Sequence, residues 1–207
     1  MKKYILGIGA GLALLFLSLV GSGFYFNRVM NLPTGSMANT ILPGEKFLVS
    51  GFYSEINRGD IMVFKFPPDP KISYIKRVIG LPGETIQIRG QKVFINNQEL
   101  FEKRVTCEMN YQDEKAPLKE ISIEGVGTYS THHNKDNDPD DSTNSEMKYG
   151  VHEPLKIPSG EYFMMGDSRD NSLDSRYWGT VKAKAIEYKA KIIVSSPDDL
   201  RLFTDLK

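Results

Sequence analysis

The chain has 207 residues, of which 40% are hydrophobic, so it can bury the core of one domain with an appendage. Its 26 basic and 26 acidic side chains cancel, which argues against a nucleic-acid partner and against a strongly acidic substrate. The single cysteine, Cys107, excludes an intramolecular disulfide and any zinc site built on paired cysteines.

The first element is an uncharged apolar stretch from Tyr4 to Phe26, preceded by two lysines. Its length suits one membrane-spanning helix. The alternative is a cleavable secretory signal, but the apolar region of such a signal usually covers only about 7–15 residues. We therefore predict a cytoplasmic tail at 1–3 and an uncleaved signal anchor at 4–26. The positive-inside rule then places the rest of this single-pass protein on the outer face of the cell membrane.

The body of the chain has the pattern of a β protein. Short β-branched or aromatic runs are separated by glycine, proline and asparagine, which favours strands joined by turns. No amphipathic helix of ordinary length is predicted after residue 30, so we expect a mainly β fold behind the single anchor helix. The predicted strands cover residues 47–50, 60–66, 74–79, 85–88, 92–95, 162–165 and 185–194.

The strand pattern is interrupted in the middle of the chain. Between residues 101 and 155 it dissolves, and residues 131–145 are almost wholly polar. We predict a main β domain formed by residues 27–100 and 156–207. The segment 101–155 is then an inserted β and loop subdomain that includes a flexible polar loop.

Three segments carry residues suited to chemistry: 33–37, 74–84 and 166–179. A serine after a glycine, such as Ser36, is usually a turn residue, and a strand lysine is usually solvated. Lys76, however, lies in a strand with an apolar face, where burial would disfavour its ammonium form and lower its pKa. A shift from about 10.4 to about 8 costs roughly 3 kcal/mol. Such a lysine could take the proton of a serine without any histidine.

Two other serine chemistries are weaker. The histidines His132 and His133 fall in the polar loop and His152 stands alone, so a Ser-His-Asp triad is disfavoured. Ser73 and Lys76 match a Ser-x-x-Lys pattern that requires a helix. On a strand, residues three apart point to opposite faces, which argues against Ser73 as nucleophile. No set of metal ligands or cofactor motif is visible, so we expect neither a metal nor a cofactor.

With the three segments in this order behind an anchor, the chain resembles the type I signal peptidases, membrane serine proteases with a Ser-Lys dyad. The most specific motif is Gly-Asp-Ser-Arg-Asp-Asn-Ser-Leu-Asp-Ser-Arg-Tyr-Trp-Gly at 166–179. The resemblance covers roughly residues 33–99 and 160–194. The chain departs from the family at Ser168, in place of the usual asparagine, and at Ala38-Asn39, in place of a residue-proline pair.

The resemblance implies a role for each matching residue. Ser36 would be the nucleophile, Lys76 the general base, and Thr34 would support an oxyanion hole formed with the Ser36 N–H. Ser172 would hydrogen-bond and orient the lysine. Structural ion pairs near the site would involve Asp174, Arg176 and Arg77.

The implied activity is removal of signal peptides from exported preproteins at the membrane surface, by an enzyme that we expect to be a monomer in contact with lipid. A specialised protease that matures one pilin or one secreted substrate would use the same chemistry. A non-catalytic, membrane-anchored scaffold is the alternative from another class. Apolar residues near the site would line shallow substrate pockets and contact lipid, or would simply belong to the core: Ile41, Leu42, Phe64 and Phe66.

Overall fold

The protein folds mainly as β-strands joined by turns. The computed structural model describes residues 27–108, 117–137, 147–151, 153–196 and 201–206. Helical segments in these ranges are short: helix α1 (Ser175–Trp178) and the 3-10 turns Gly35–Met37, Arg169–Asn171 and Ala183–Ala185. The strands are β1 (Asn27–Asn31), β2 (Lys46–Ser50), β3 (Ile61–Lys65), β4 (Ser73–Gly80), β5 (Thr85–Arg89), β6 (Lys92–Ile95), β7 (Gln98–Glu99), β8 (Lys103–Glu108), β9 (Lys119–Glu124), β10 (Ser130–Asn134), β11 (Leu155–Lys156), β12 (Glu161–Met165), β13 (Val181–Lys182) and β14 (Ile186–Ser195).

The largest sheet of the described residues carries the strands that position the site. Its seven strands are antiparallel and follow the order β1-β2-β14-β3-β4-β12-β13. Strand β14, from the end of the chain, lies between β2 and β3, which come early in the sequence. Residues far apart in the sequence therefore meet on neighbouring strands.

A second sheet has the strand order β11-β5-β6-β7 and contains the predicted strands 85–88 and 92–95 as neighbours. Strands β5 and β6 pair antiparallel, with Arg89 opposite Lys92, so the turn consists of Gly90 and Gln91. The next turn uses Asn96 and Asn97, at φ 50° and 65°. Asparagine tolerates this left-handed conformation better than most residues, which explains why the chain reverses here.

The third sheet, β10-β8-β9, lies within the predicted insertion. It corrects the loop prediction, because residues 131–134 belong to β10 and are buried, including His132 and His133, each 3% exposed. Several of these polar side chains have hydrogen-bond partners that make their burial tolerable, such as Thr131 Oγ1 at 3.2 Å from His133 Nε2. The later part of the predicted loop, 138–146, lies outside the described residues.

The core of the main sheet accounts for most of the apolar residues that we expected near lipid. Ile41 and Phe64 are fully buried and Leu42 is 5% exposed, so for these three the core interpretation is right and the lipid-facing one is wrong. Phe66 is only partly buried and stacks on Tyr74 with ring centroids 4.3 Å apart. Trp178 packs edge-on against both rings and holds α1 on the sheet.

The mainly β fold predicted from the sequence is confirmed, and all seven predicted strands are present to within one residue at each end. The described residues contain seven further strands that were not predicted. Within the described ranges no helix is both long and apolar enough to cross a membrane. The predicted anchor at 4–26 falls outside those ranges.

Candidate active site

Two short elements bring Ser36 and Lys76 together. Lys76 lies in the middle of β4, and Ser36 lies in the 3-10 turn Gly35–Met37 that follows Thr34. Lys76 Nζ is 2.6 Å from Ser36 Oγ, and Thr34 Oγ1 is 3.4 Å from the same oxygen. Both Ser36 and Lys76 are buried, so the pair is shielded from bulk water.

Burial sets the protonation of Lys76. Its side chain is only 4% exposed, and loss of hydration lowers the pKa of Lys76 to about 8. Asp174 and Asp167 act in the opposite direction, while Arg176 adds to the lowering. A substantial neutral fraction therefore exists near neutral pH, and a neutral amine 2.6 Å from a hydroxyl can accept its proton.

Asp174 is the charged centre of the segment 166–179. Its carboxylate accepts from Arg176 Nε at 2.8 Å, from Gly166 N at 3.0 Å and from Ser172 Oγ at 2.8 Å. Burial opposes ionisation of Asp174, but the Arg176 guanidinium and these hydrogen bonds hold the pKa of Asp174 below its usual range. The predicted pairing of Asp174 with an arginine is therefore what the structure contains.

Arg77 follows Lys76 on β4 and pairs with Asp167, not with Asp174. Its Nε and Nη2 donate to the two oxygens of Asp167 at 2.8 and 2.6 Å, and both side chains are fully buried. Asp167 also accepts from Thr40 Oγ1 at 2.5 Å. Next to it, Ser168 N donates to the carbonyl of Ser36 at 3.2 Å. Asp167 and Ser168 thus fasten the Ser36 turn to β4.

Gly166 allows this close packing. A Cβ at this position would overlap the Ser172 side chain and the Ser36 carbonyl oxygen. Any larger residue would force apart the turn that carries Ser36 and the segment that carries Ser172. The first glycine of the motif is therefore required by packing.

A third buried ion pair joins the β10-β8-β9 sheet to the site. Arg169 Nη1 and Nη2 donate to Glu102 at 3.1 and 2.5 Å, and both side chains are almost fully buried. Tyr129 OH donates to the same carboxylate at 2.9 Å. The start of β8 is thereby held against the segment that contains Ser172 and Asp174.

A cavity of about 590 Å³ opens beside the Ser36–Lys76 pair. Three stretches of chain line it: 30–34, 72–76 and 170–173. Its walls include Leu32, Ile75 and Leu173 together with Ser172. Ser172 shares the cavity with Lys76, although the described residues contain no hydrogen bond between these two side chains.

The alternative nucleophile chemistries find no support in this geometry. His132 Nδ1 accepts from Asn39 N and His132 Nε2 lies 3.4 Å from Glu120, so the ring is engaged away from Ser36. His133 contacts Thr131, and His152 lies outside the described residues. Ser73 and Lys76 lie on a strand, as predicted. Within the described part of the chain no three His, Cys, Asp or Glu side chains are placed to hold a metal ion.

Several residues of the site were not singled out from the sequence. Asp167 and Arg169 belong to the motif at 166–179, so their place beside Ser172 was a usable signal. Glu102 carries no such signal, and Asn39 stood out only as a departure from the family pattern, because the partners of both residues come from distant parts of the chain.

Comparison with known proteins shows which family the chain belongs to. The family described as signal peptidase, peptidase S26, matches residues 3–195. The chain belongs to this family. The predicted activity, serine endopeptidase cleavage of signal peptides, is confirmed by this membership.

Individual relatives are similar over most of the chain. A signal peptidase I of Buchnera aphidicola subsp. Acyrthosiphon pisum is 32% identical over 91% of this chain and 74% of its own length. One from Aquifex aeolicus is 32% identical over 89% and 82%. One from Pseudomonas fluorescens is 37% identical over 79%, and the chain spans 59% of that relative. A signal peptidase I structure from Enterococcus faecalis V583 is 27% identical, covers 66% of this chain and 97% of its own, and has a TM-score of 0.39.

The buried Arg77–Asp167 pair yields a stability prediction. Asp167→Ala leaves the Arg77 guanidinium buried without its counter-charge, so we expect the free energy of unfolding to fall by about 3–5 kcal/mol. Equilibrium urea unfolding measures it. Glu187→Ala, which breaks the half-exposed Lys65–Glu187 pair, is the control and should cost far less. Equal losses in the two variants would contradict this account.

Proposed function

We propose that Ser36 is the nucleophile of this peptidase and that neutral Lys76 is its general base. The observation that carries the proposal is the 2.6 Å contact between Ser36 Oγ and an amine that is 4% exposed. A non-catalytic scaffold has no use for a lysine buried beside a serine, since burial of an amine costs stability. A catalytic role explains why the lysine is buried beside the serine despite this cost.

The chemistry follows from the pair. Ser36 Oγ attacks the carbonyl carbon of the scissile peptide while its proton passes to Lys76 Nζ. Lys76 then gives that proton to the leaving amine, so the C–N bond breaks and an acyl-enzyme forms. Water repeats the sequence on the ester, with Lys76 again as base, and releases the second product. The proton count balances in each half-reaction.

Charge that develops on the carbonyl oxygen needs hydrogen-bond donors. We assign this role to the Ser36 backbone N–H and the Thr34 hydroxyl. Thr34 Oγ1 lies 3.4 Å from Ser36 Oγ and lines the same cavity, which supports the assignment. Donors already fixed in a protein need little reorganisation when the oxyanion appears.

Ser172 is the residue that we assign to orient Lys76. Its hydroxyl hydrogen goes to Asp174, so its oxygen lone pairs can accept an N–H of the lysine. That bond would aim the lysine lone pair at Ser36, which the flexible lysine stem cannot do alone. Arg176 balances the charge of Asp174, so Asp174 can accept from Ser172 without holding Lys76 in its ammonium form.

The substrates that fit are signal peptides of exported preproteins, presented at the membrane. The cleft begins at Met30, four residues beyond the predicted anchor, and four residues of extended chain cover at most about 14 Å. Catalysis would therefore take place close to the outer membrane surface, where the cleavage site of a signal peptide emerges. A cleft walled by Leu32 and Ile75 suits small apolar residues before the cut.

Removal of either member of the pair should abolish cleavage. Ser36→Ala and Lys76→Ala should each remove activity on a preprotein substrate, and the double variant should be no worse, because the residues act as one proton-transfer unit. Lys65→Ala is a matched control, since Lys65 Nζ contacts Ser73 Oγ at 3.2 Å on the exposed face. Losses that add in the double variant would show that the two side chains act independently.

The pH profile should report the lysine. Because Lys76 must be neutral, kcat/KM should rise about tenfold per pH unit through the acid range and level off above pH 8. A histidine base would instead place this acid limb of the pH profile near pH 6.5. His133→Asn should leave the limb in place, since burial lowers the pKa of His133 to about 2 and keeps it neutral. An acid limb near 6.5 would contradict Lys76 as base.

Ser172 and Asp174 should differ in what their loss changes. Ser172→Ala should lower kcat about 10–100-fold and shift the acid limb, because one neutral hydrogen bond to the base is lost. Asp174→Asn should mainly lower the melting temperature, because it weakens the pairing with Arg176. Steady-state kinetics and thermal melts on both variants measure this. A Ser172→Ala enzyme with unchanged kcat and pH profile would remove Ser172 from the mechanism.

A further inference from the structure

Asn39, three residues after Ser36, bonds to the β9 edge of the subdomain sheet. Its Oδ1 accepts from Leu118 N at 2.7 Å and its Nδ2 donates to Leu118 O at 3.0 Å. Two opposed bonds to the backbone of one residue are what a neighbouring strand would supply. The Asn39 amide thus takes the place of a strand at the start of β9.

The same residue is also held by the neighbouring side chains. Its backbone N–H donates to His132 Nδ1 at 3.3 Å, and Nδ2 lies 3.4 Å from Glu120 Oε1. His132 is on β10 and Glu120 on β9, so both edge strands of this three-stranded sheet take part. Burial lowers the pKa of His132 and keeps its ring able to accept this bond at neutral pH.

On the other side, the carbonyl of Asn39 accepts from Arg201 Nη2 at 2.9 Å. Arg201 also donates to Glu45 Oε1 at 2.7 Å. Asn39 therefore has bonded partners on its side chain, its N–H and its carbonyl.

These restraints act close to the nucleophile. Ala38 N donates to Gly35 O at 3.0 Å and Ile41 N donates to Met37 O at 2.9 Å, so backbone hydrogen bonds on both sides of Asn39 connect it to the turn that carries Ser36. A shift of Asn39 must therefore displace Ser36 relative to Lys76. Misplacement of a reacting group by about 1 Å can cost as much as 100-fold in rate.

We propose that Asn39 is a positioning residue, which holds Ser36 in line with Lys76 by tying the nucleophile turn to the β9 edge. The inference rests on the proposed role of Ser36. It gives the β8–β10 subdomain a part in catalysis, since that subdomain supplies the fixed end of the contact. Asn39 does not line the substrate cavity, so its effect should fall on the chemical step and not on binding.

The test is a kinetic comparison of variants in the full-length enzyme with a short signal-sequence peptide. Asn39→Ala should lower kcat roughly tenfold, with KM within about twofold of the unaltered enzyme. Asn39→Asp keeps the size and the acceptor but faces Leu118 O and Glu120 with a carboxylate, so it should lower kcat as well. Asn96→Ala is the matched control: it also removes a side-chain bond to a backbone amide, that of Thr85, and should leave kcat unchanged.

A double-variant cycle identifies the contact itself. Leu118→Pro removes the N–H that Asn39 Oδ1 accepts, and its effect on kcat should not add to that of Asn39→Ala. Additive losses, or an unchanged kcat with a lowered melting temperature in both Asn39 variants, would overturn the proposal. Failure of the Ser36 assignment gives a different result, because Ser36→Ala would then retain activity whatever Asn39 does.

Discussion

The Arg77–Asp167 ion pair is the constraint on which the site depends. Both side chains are fully buried, and neither charge is tolerable there alone. Arg77 belongs to β4 and Asp167 to the segment after β12, so the pair fixes these elements against each other. Asp167 also accepts a hydrogen bond from the Thr40 hydroxyl. The same carboxylate therefore contacts both β4, which carries the base, and the chain just after the turn that carries the nucleophile, and so sets the distance between them.

The same pairing of acids with arginines explains how a lysine can remain a base among carboxylates. Asp167 is matched by Arg77 and Asp174 by Arg176, so the negative charges that would favour the lysine ammonium are largely compensated. Burial then dominates the protonation of Lys76. Arg77 and Arg176 thus contribute to the chemistry indirectly, through the charge balance around Lys76.

The sequence predicted what depends on local pattern and missed what depends on distant partners. The apolar alternation around Lys76 indicated a buried strand lysine, and the structure has one. The strand that contains His132 was missed because its residues are polar, and only their partners in the fold make burial tolerable. Asp167 could be placed near the site by its motif, but its pairing with Arg77 required the register of β4 and β12. Asn39 could not be interpreted at all without Leu118.

The position of β14 determines when the main sheet can form during synthesis on the ribosome. Strands β2 and β3 do not pair with each other, because β14 lies between them. Val49 pairs with Ala190 and Val63 pairs with Tyr188, and well over a hundred residues of chain separate the members of each pair. Closure of contacts so distant in sequence is slow. The sheet that supports Lys76 can therefore be completed only after residues 186–195 have been synthesised, so a shorter nascent chain lacks part of the frame that holds the proteolytic centre.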